Sequence, residues 1–148
     1  MYNLFDKQNA GSLLQRLEKI TPAHDAQWGK MQVAQMLAHC SITLETPFGP
    51  DRKQNFIGKL FGKMAKKGIL GTKPFGKNSP TDPSFIVKDV RNFETEKARL
   101  AAGIKRFAEA GPNGITCKKH PFFGDFSAND WSVLMHKHLD HHFSQFEA

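Results

Sequence analysis

The most informative stretch of the chain is Met135-His136-Lys137-His138-Leu139-Asp140-His141-His142-Phe143-Ser144-Gln145, which holds four of the seven histidines within seven consecutive positions. The stretch reads as a helix because Ser127 followed by Asp130 resembles a capping box, in which side chains satisfy free backbone N–H groups at the helix start. Residues then recur at spacings of three and four, which marks one helix face. This face consists of Trp131, Leu134, Met135, His138, His142 and Phe146.

His138 and His142 lie one helical turn apart on this face, which should point into the core. Side chains at i and i+4 have Cβ atoms roughly 5–6 Å apart. A helix presents two imidazoles to one metal ion with this geometry. Burying two uncommitted imidazoles among Trp, Leu and Phe would leave polar nitrogens unsatisfied. We therefore expect the pair to bind a metal, and the alternative is a pair of hydrogen-bonded core histidines.

Three further stretches have the apolar periodicity of amphipathic helices. Together with the histidine helix they predict an all-α fold, a four-helix bundle. The chain of 148 residues has the size of one domain, so we expect a single domain over residues 1–148. The predicted helices cover about residues 8–20, 30–46, 90–110 and 127–145.

A long connection, about residues 47–89, separates the second and third of these helices. We expect it to be a partly helical insertion, because a short apolar stripe occurs inside it. Residues 68–83 are rich in Gly, Pro, Asn and Lys and predict a loop. A connection this long is typical of a crossover, a lid or a binding loop. The stripe consists of Phe56, Ile57, Leu60, Phe61 and Met64.

The composition argues against several classes of protein. No run of eighteen apolar residues occurs, so no transmembrane helix is expected, and the first residues lack the form of a signal peptide. The two cysteines, Cys40 and Cys117, have no repeated spacing and suit a reducing compartment, so we expect a cytoplasmic protein. The formal net charge of +7 permits anionic partners without requiring them.

The basic charge is concentrated in the insertion, where residues 52–77 contain eight Lys or Arg and no acid. Three interpretations stay open: contact with anionic lipid or nucleic acid, a lid that steers an anionic substrate, and a solvated face that packs on the bundle or on a partner subunit. No Arg-rich helix or aromatic stacking platform supports nucleic acid, which is not expected as a partner. The Phe-rich insertion also offers a surface for a homodimer.

A third metal ligand is needed, since two imidazoles alone make a weak site. His39, in Gln35-Met36-Leu37-Ala38-His39, lies at the border of the second helix's apolar stripe, where a bundle can bring it beside His138 and His142. Three imidazoles from two helices leave open positions for water or substrate, as catalytic sites require. The alternative for His39 is a boundary histidine bonded to a backbone carbonyl.

Several motifs occur together: Trp28, Gln35-Met36-Leu37-Ala38-His39 with Glu45 after it, and His138-x-x-His141-His142 with Gln145. Over most of the chain this pattern resembles the DinB/YfiT superfamily, four-helix bundles with one metal-binding histidine on the second helix and a His-x-x-x-His pair on the last. The resemblance implies His39, His138 and His142 as ligands. Many members follow the last histidine with Arg-Gly-Gln, where this chain has Phe143-Ser144-Gln145. A role attached to that arginine is therefore not carried over.

Two further segments, Asn78-Ser79-Pro80-Thr81 and His120-Pro121-Phe122-Phe123-Gly124, resemble a branch of the superfamily known chiefly as a domain of unknown function. Characterised superfamily members are mostly S-transferases that use low-molecular-weight thiols such as bacillithiol or mycothiol, together with a thiol-dependent isomerase. The resemblance thus implies a metal-dependent enzyme with a small-molecule substrate, such as a low-molecular-weight thiol. The same site could instead activate water for hydrolysis. The expected cofactor is a divalent ion, zinc or nickel, since three imidazoles do not select among first-row metals.

The competing hypothesis is a non-enzymatic metal-binding bundle that acts as an interaction module through its basic insertion. The two hypotheses differ at the fourth coordination position, which a structural site closes with a protein ligand and a catalytic site leaves open.

Five other residues are candidates around the metal. His141 and Gln145 can hydrogen-bond a ligand and fix its tautomer, although a solvated role suits His141 equally well. Trp28, Trp131 and His120 are candidate walls of a substrate pocket, and core packing is the alternative for the two tryptophans. We expect substrate to enter past the loops around residues 73–83 and 120–124.

Overall fold

Five helices and one two-stranded hairpin make up the computed structural model, which describes residues 1–148. The strands β1 (Lys119–His120) and β2 (Gly124–Asp125) pair in antiparallel fashion. None of the helices has both the length and the apolar character that crossing a bilayer requires. The helices are α1 (Lys7–Lys19), α2 (Val33–Glu45), α3 (Phe56–Ile69), α4 (Phe93–Ala110) and α5 (Ala128–Gln145). Single 3-10 turns lie at Thr46–Phe48, Pro83–Phe85 and Pro112–Gly114.

The core lies between α1, α2, α4 and α5, which pack on one another, most extensively α2 on α4. Their apolar faces form one buried cluster that includes Leu17, Met36, Phe107 and Leu139. The helices expected from the apolar periodicity are thus present, each with boundaries within three residues of those predicted. The chain is a helical bundle.

The start of α5 has the capping box that the sequence predicts. The hydroxyl of Ser127 accepts a hydrogen bond from the backbone N–H of Asp130 at 3.1 Å, and the Asp130 carboxylate accepts one from the N–H of Ser127 at 2.9 Å. This exchange satisfies two backbone donors that a helix start otherwise leaves free. The box therefore sets the rotation and register at which α5 presents its histidines.

The hairpin is an element that the apolar periodicity does not reveal, because each strand has only two residues. Lys119 pairs with Asp125 and His120 with Gly124. The hairpin is anchored at the start of α5 by Trp131, whose buried indole N–H donates to the carbonyl of Cys117 at 2.7 Å. The predicted all-α class therefore holds for the helical bundle, whereas the hairpin of β1 and β2 was not predicted.

The insertion helix α3 lies outside the bundle core and contacts β2. Its buried face is formed by Gly58 and Gly62, and a Cβ on either residue would overlap the carbonyl oxygen of Phe122. The chain before α3 is also bonded to the hairpin, since the N–H of Asn55 donates to Pro121 at 2.8 Å. The apolar stripe of the insertion consequently faces solvent.

A buried lysine fixes the end of α3 to α5. Lys137 is only 2% exposed, and its ammonium donates to the carbonyls of Ile69 and Gly71. These carbonyls close the helix end, where backbone acceptors have no partner within the helix. Burial lowers the pKa of Lys137, and the two hydrogen bonds offset part of the cost of desolvating the charge.

Candidate metal centre

Helices α2 and α5 bring three imidazoles together at one point of the bundle. His39 and His142 are buried, with 3% and 8% of their surface exposed, and His138 is partly exposed. One ligand nitrogen from each lies within 4.8 Å of the others. The closest two, Nε2 of His39 and Nε2 of His138, are 2.9 Å apart. The three histidines that the sequence singles out therefore form one cluster.

Each ring has a polar neighbour at Nδ1, and an oxygen that can only accept sets the tautomer of His39 and of His142. The Nδ1–H of His39 donates to the carbonyl of Phe85 at 2.8 Å, because a carbonyl can only accept. The Nδ1–H of His142 donates to the Oε1 of Gln145 at 2.8 Å. Nδ1 of His138 lies 3.4 Å from the hydroxyl of Thr43, which is also within hydrogen-bond distance of the carbonyls of His39 and Cys40.

With the proton at Nδ1, the Nε2 atoms of His39 and His142 each keep a free lone pair. Nε2 of His39 lies 2.9 Å from Nε2 of His138, a separation that either an Nε2–H of His138 or a bound cation can bridge. Tetrahedral zinc with Zn–N bonds of about 2.0–2.1 Å holds its nitrogens roughly 3.3 Å apart. The observed separations, 2.9 Å at the shortest and no more than 4.8 Å, bracket that value. The donor set therefore fits a divalent metal ion.

Electrostatics keeps these rings in the neutral form that a metal requires. Burial lowers the pKa of His39, and the hydrogen bond to Phe85 opposes it only in part. Burial, followed by the charges of the neighbouring imidazoles, places the pKa of His138 well below its ordinary value. The pKa of His142 falls to about 3 for the same two reasons. A proton is thus a poor substitute for a metal between the rings.

Gln145 is held in place from the side opposite His142. Its Nε2 donates to the carbonyl of Trp28 at 2.6 Å, which leaves Oε1 directed at the imidazole. The approach depends on Gly29, which has a left-handed φ of +81° and whose Cβ, if present, would lie 2.9 Å from that Nε2. The segment before α2 therefore positions Gln145 near the end of α5, and Gln145 in turn orients the ring of His142.

The loop between α3 and α4 packs against His141 and Trp28, which lie on one side of the three-histidine cluster. The ring of His141 is 5.4 Å from Trp28 and 5.9 Å from Phe75, and it contacts the ring of His142 edge-on. The ammonium of Lys77 lies 4.5 Å from the Trp28 ring centre. His141 and Trp28 thus belong to an aromatic wall beside the ligands, with a cation at its edge.

The cluster contains three candidate ligands and no fourth His, Cys, Asp or Glu. Glu45 turns away and pairs with Arg99 at 2.9 Å. Cys40, next to His39 in sequence, is fully buried, and burial raises the pKa of its thiol far above the physiological range. Neither residue belongs to the cluster, and the raised pKa disfavours the thiolate that a nucleophilic Cys40 would need.

His120 and Trp131 lie in a different aromatic group, with Phe123 and Phe126, beneath the hairpin. Trp131 precedes His138 by two turns of α5, about 10 Å along the axis. The structure thus places these two pocket candidates at the hairpin, whereas Trp28 lies beside the three-histidine cluster.

His120 gives the hairpin a pH dependence. Its Nδ1 accepts hydrogen bonds from the N–H groups of Phe122 and Phe123, at 3.0 and 3.2 Å, so protonation at Nδ1 would break the turn. Burial, opposed by Asp82 and assisted by Arg52, lowers the pKa of His120 from 6.5 to about 4. Between pH 6.5 and about 4, His120 binds more protons in the unfolded chain than in the folded chain. The free energy of unfolding therefore falls as the pH falls through this range. The loss is at most about 3 kcal/mol.

His120→Asn provides the measurement, because the Asn side-chain oxygen can accept the same two bonds and does not titrate. We expect urea unfolding to show a smaller loss of stability for His120→Asn than for the wild type between pH 6.5 and 4. Parallel curves for the two proteins would contradict this assignment.

Comparison of the chain with protein-family models, with curated proteins and with solved structures finds no match. The protein is a helical bundle with a buried three-histidine cluster.

Two residues at the site were not identified from the sequence. Thr43 follows His39 by one turn of α2, so helical periodicity predicts that the two residues lie on the same face. The contact of the Phe85 carbonyl with His39 cannot be predicted in this way, because the position of the carbonyl depends on the path of the loop before α4.

Proposed function

We propose that this chain is a metal-dependent enzyme of the DinB-like type, in which His39, His138 and His142 hold a divalent first-row ion, zinc or nickel. The convergence of three imidazoles, with one nitrogen of each within 4.8 Å of the others, is the observation that supports the proposal. The motifs around Trp28, His39 and His142 that resemble the DinB/YfiT superfamily point to the same ligands.

A catalytic role is favoured over a structural one by the number of ligands. Structural zinc sites are closed by four protein ligands, whereas catalytic sites have three and leave a position for water or substrate. The cluster offers three, Glu45 pairs with Arg99, and Cys40 lies outside the group.

A divalent ion at this site would lower the pKa of a bound thiol or water and so supply a nucleophile at neutral pH. The protein's own contribution is orientation and exclusion of water. Gln145 and the Phe85 carbonyl hold the Nδ1 protons of two ligands and fix their ring planes. Trp28 and Phe75 form an apolar wall next to His141.

The substrate that we propose is a low-molecular-weight thiol with an anionic group, used in an S-transfer reaction. Lys77, at the edge of the wall, supplies a positive charge for a carboxylate, and the basic insertion supports attraction of anions to this side. Hydrolysis by activated water is the alternative reaction at the same site.

The test is reconstitution with cobalt(II), whose visible spectrum reports its ligands. We expect one Co²⁺ per chain, with a spectrum that changes on addition of cysteine or another small thiol and shows a sulfur-to-cobalt charge-transfer band. His24→Ala removes a histidine outside the cluster and should behave as wild type, whereas His138→Ala should not form the spectrum.

A Co²⁺ spectrum that responds to neither thiols nor azide would mean a closed coordination sphere. The proposed enzyme would then be rejected in favour of a non-enzymatic bundle with a structural ion. A response to azide and not to thiols would favour the hydrolytic reaction over S-transfer.

A further inference from the structure

Helix α3 presents an unusual face to solvent. Five large apolar side chains project from it, among them Phe56, Leu60 and Met64 with 74%, 62% and 72% of their surface exposed. Scattered apolar residues are normal on a protein surface, but a contiguous group on one helix face marks an interaction site. The complete face consists of Phe56, Ile57, Leu60, Phe61 and Met64.

The outward direction of this face is imposed by the way α3 is attached. Gly58 and Gly62 contact the Phe122 backbone so closely that the helix cannot rotate and bury a larger residue there. Lys137 holds the other end through the carbonyls of Ile69 and Gly71. The apolar face is therefore fixed toward solvent, and it cannot fold back onto the bundle without breaking both attachments.

Lysines border the apolar face along its length. At 100° per residue, Lys59, Lys63 and Lys67 follow one edge of the stripe, and all three are exposed. A helix of this composition, apolar on one side with lysines at the border, suits the boundary between lipid headgroups and acyl chains.

The positive charge continues beyond the helix into a cleft of about 480 Å³ between α3 and the hairpin. Its cationic lining includes Arg52, Lys53 and Lys119 in addition to Lys59 and Lys63, and Asp125 is its single acid. Lys66, which also lines it, is paired with Asp130 at 2.8 Å. The surface around the apolar face is thus strongly complementary to anions.

We propose that α3 docks this protein on an anionic lipid membrane, with the apolar face in the acyl boundary and the lysines and cleft at the lipid phosphates. Two copies joined through the same face would bring their lysine borders together, and like charges would oppose that dimer. Nucleic acid would satisfy the lysines and leave the apolar face in water. A membrane surface satisfies both features.

The test is co-sedimentation of the purified chain with vesicles of phosphatidylcholine, alone and with roughly one phosphatidylserine in three lipids. We expect binding to the anionic vesicles, weakened by salt, and little binding to the neutral ones. Phe56→Ser/Met64→Ser should lower the partition constant by about a hundredfold, since two exposed apolar side chains lose their insertion. Lys59→Glu/Lys63→Glu should lower it by about 25-fold or more.

Matched controls lie away from α3. Lys19→Glu/Lys105→Glu changes the net charge equally, and Val90→Ser removes a 90% exposed apolar residue, so both should bind as wild type. Equal losses in the control and the α3 variants would overturn the proposal. Absence of vesicle binding, with a dimer by light scattering that Phe56→Ser/Met64→Ser dissociates, would overturn it in favour of a second copy.

Discussion

Protein purified without an affinity tag should carry about one equivalent of a single divalent metal, and His138→Ala and His142→Ala should each lose it. In the wild type, one nitrogen from each of three imidazoles lies within 4.8 Å of the others, and removal of one imidazole leaves a two-imidazole site of much lower affinity. The loss should exceed the roughly 10–100-fold that removal of a hydrogen-bond partner of a ligand costs. Elemental analysis after desalting measures the content directly.

Gln145→Met gives an intermediate case, because it removes the acceptor of the His142 Nδ1–H and keeps the volume of the buried side chain. We expect its metal affinity to fall by about 10–100-fold. His24→Ala is the control, since the His24 ring bonds only within its own turn, to Thr21. Its metal content should equal that of the wild type.

The stability of the folded protein should depend on whether metal is bound. Binding to the folded state alone adds about 3–4 kcal/mol when free metal exceeds the dissociation constant by a hundred- to a thousandfold. A chelator should therefore lower the Tm of the wild type and of His24→Ala but not of His138→Ala or His142→Ala. Wild-type protein that holds no metal after reconstitution would leave the cluster as a group of core histidines and would contradict the metal site.

Gly58→Ala should destabilise the attachment of α3, whereas Gly68→Ala on the same helix should not. A Cβ at Gly58 would overlap the carbonyl oxygen and Cα of Phe122, and backbone atoms cannot move aside as a side chain can. Overpacking of this kind costs about 1–3 kcal/mol. A Cβ at Gly68 meets nothing within 4 Å, so alanine should be neutral or should stabilise by up to about 1 kcal/mol.

Hydrogen exchange separates local from global effects in this comparison. We expect faster exchange of the α3 amides and of the Asn55 N–H, which bonds to Pro121, in Gly58→Ala, with the α4 amides changed less. Gly68→Ala should leave all of them as in the wild type or slower. The same exchange rates in both variants would mean that α3 does not rest on the Phe122 backbone.

The apolar periodicity alone determined the helices of the bundle, because the repeat of 3.6 residues per turn depends only on near neighbours in the chain. It also determined that His138 and His142 share a face, and the Ser127 box set where that helix begins. His39 was placed beside them from its position on the stripe of α2, and the two helices do bring the three rings together.

Only the tertiary structure decided which groups surround those rings and which way α3 faces. The Phe85 carbonyl reaches His39 across 46 positions, and the Phe122 backbone that turns the apolar stripe of α3 outward lies 60 or more positions after its glycines. An apolar stripe predicts a buried face only where a partner surface has room for it. Here the glycines approach their neighbour more closely than Phe or Leu can, so close backbone packing overrides the hydrophobic pattern of α3.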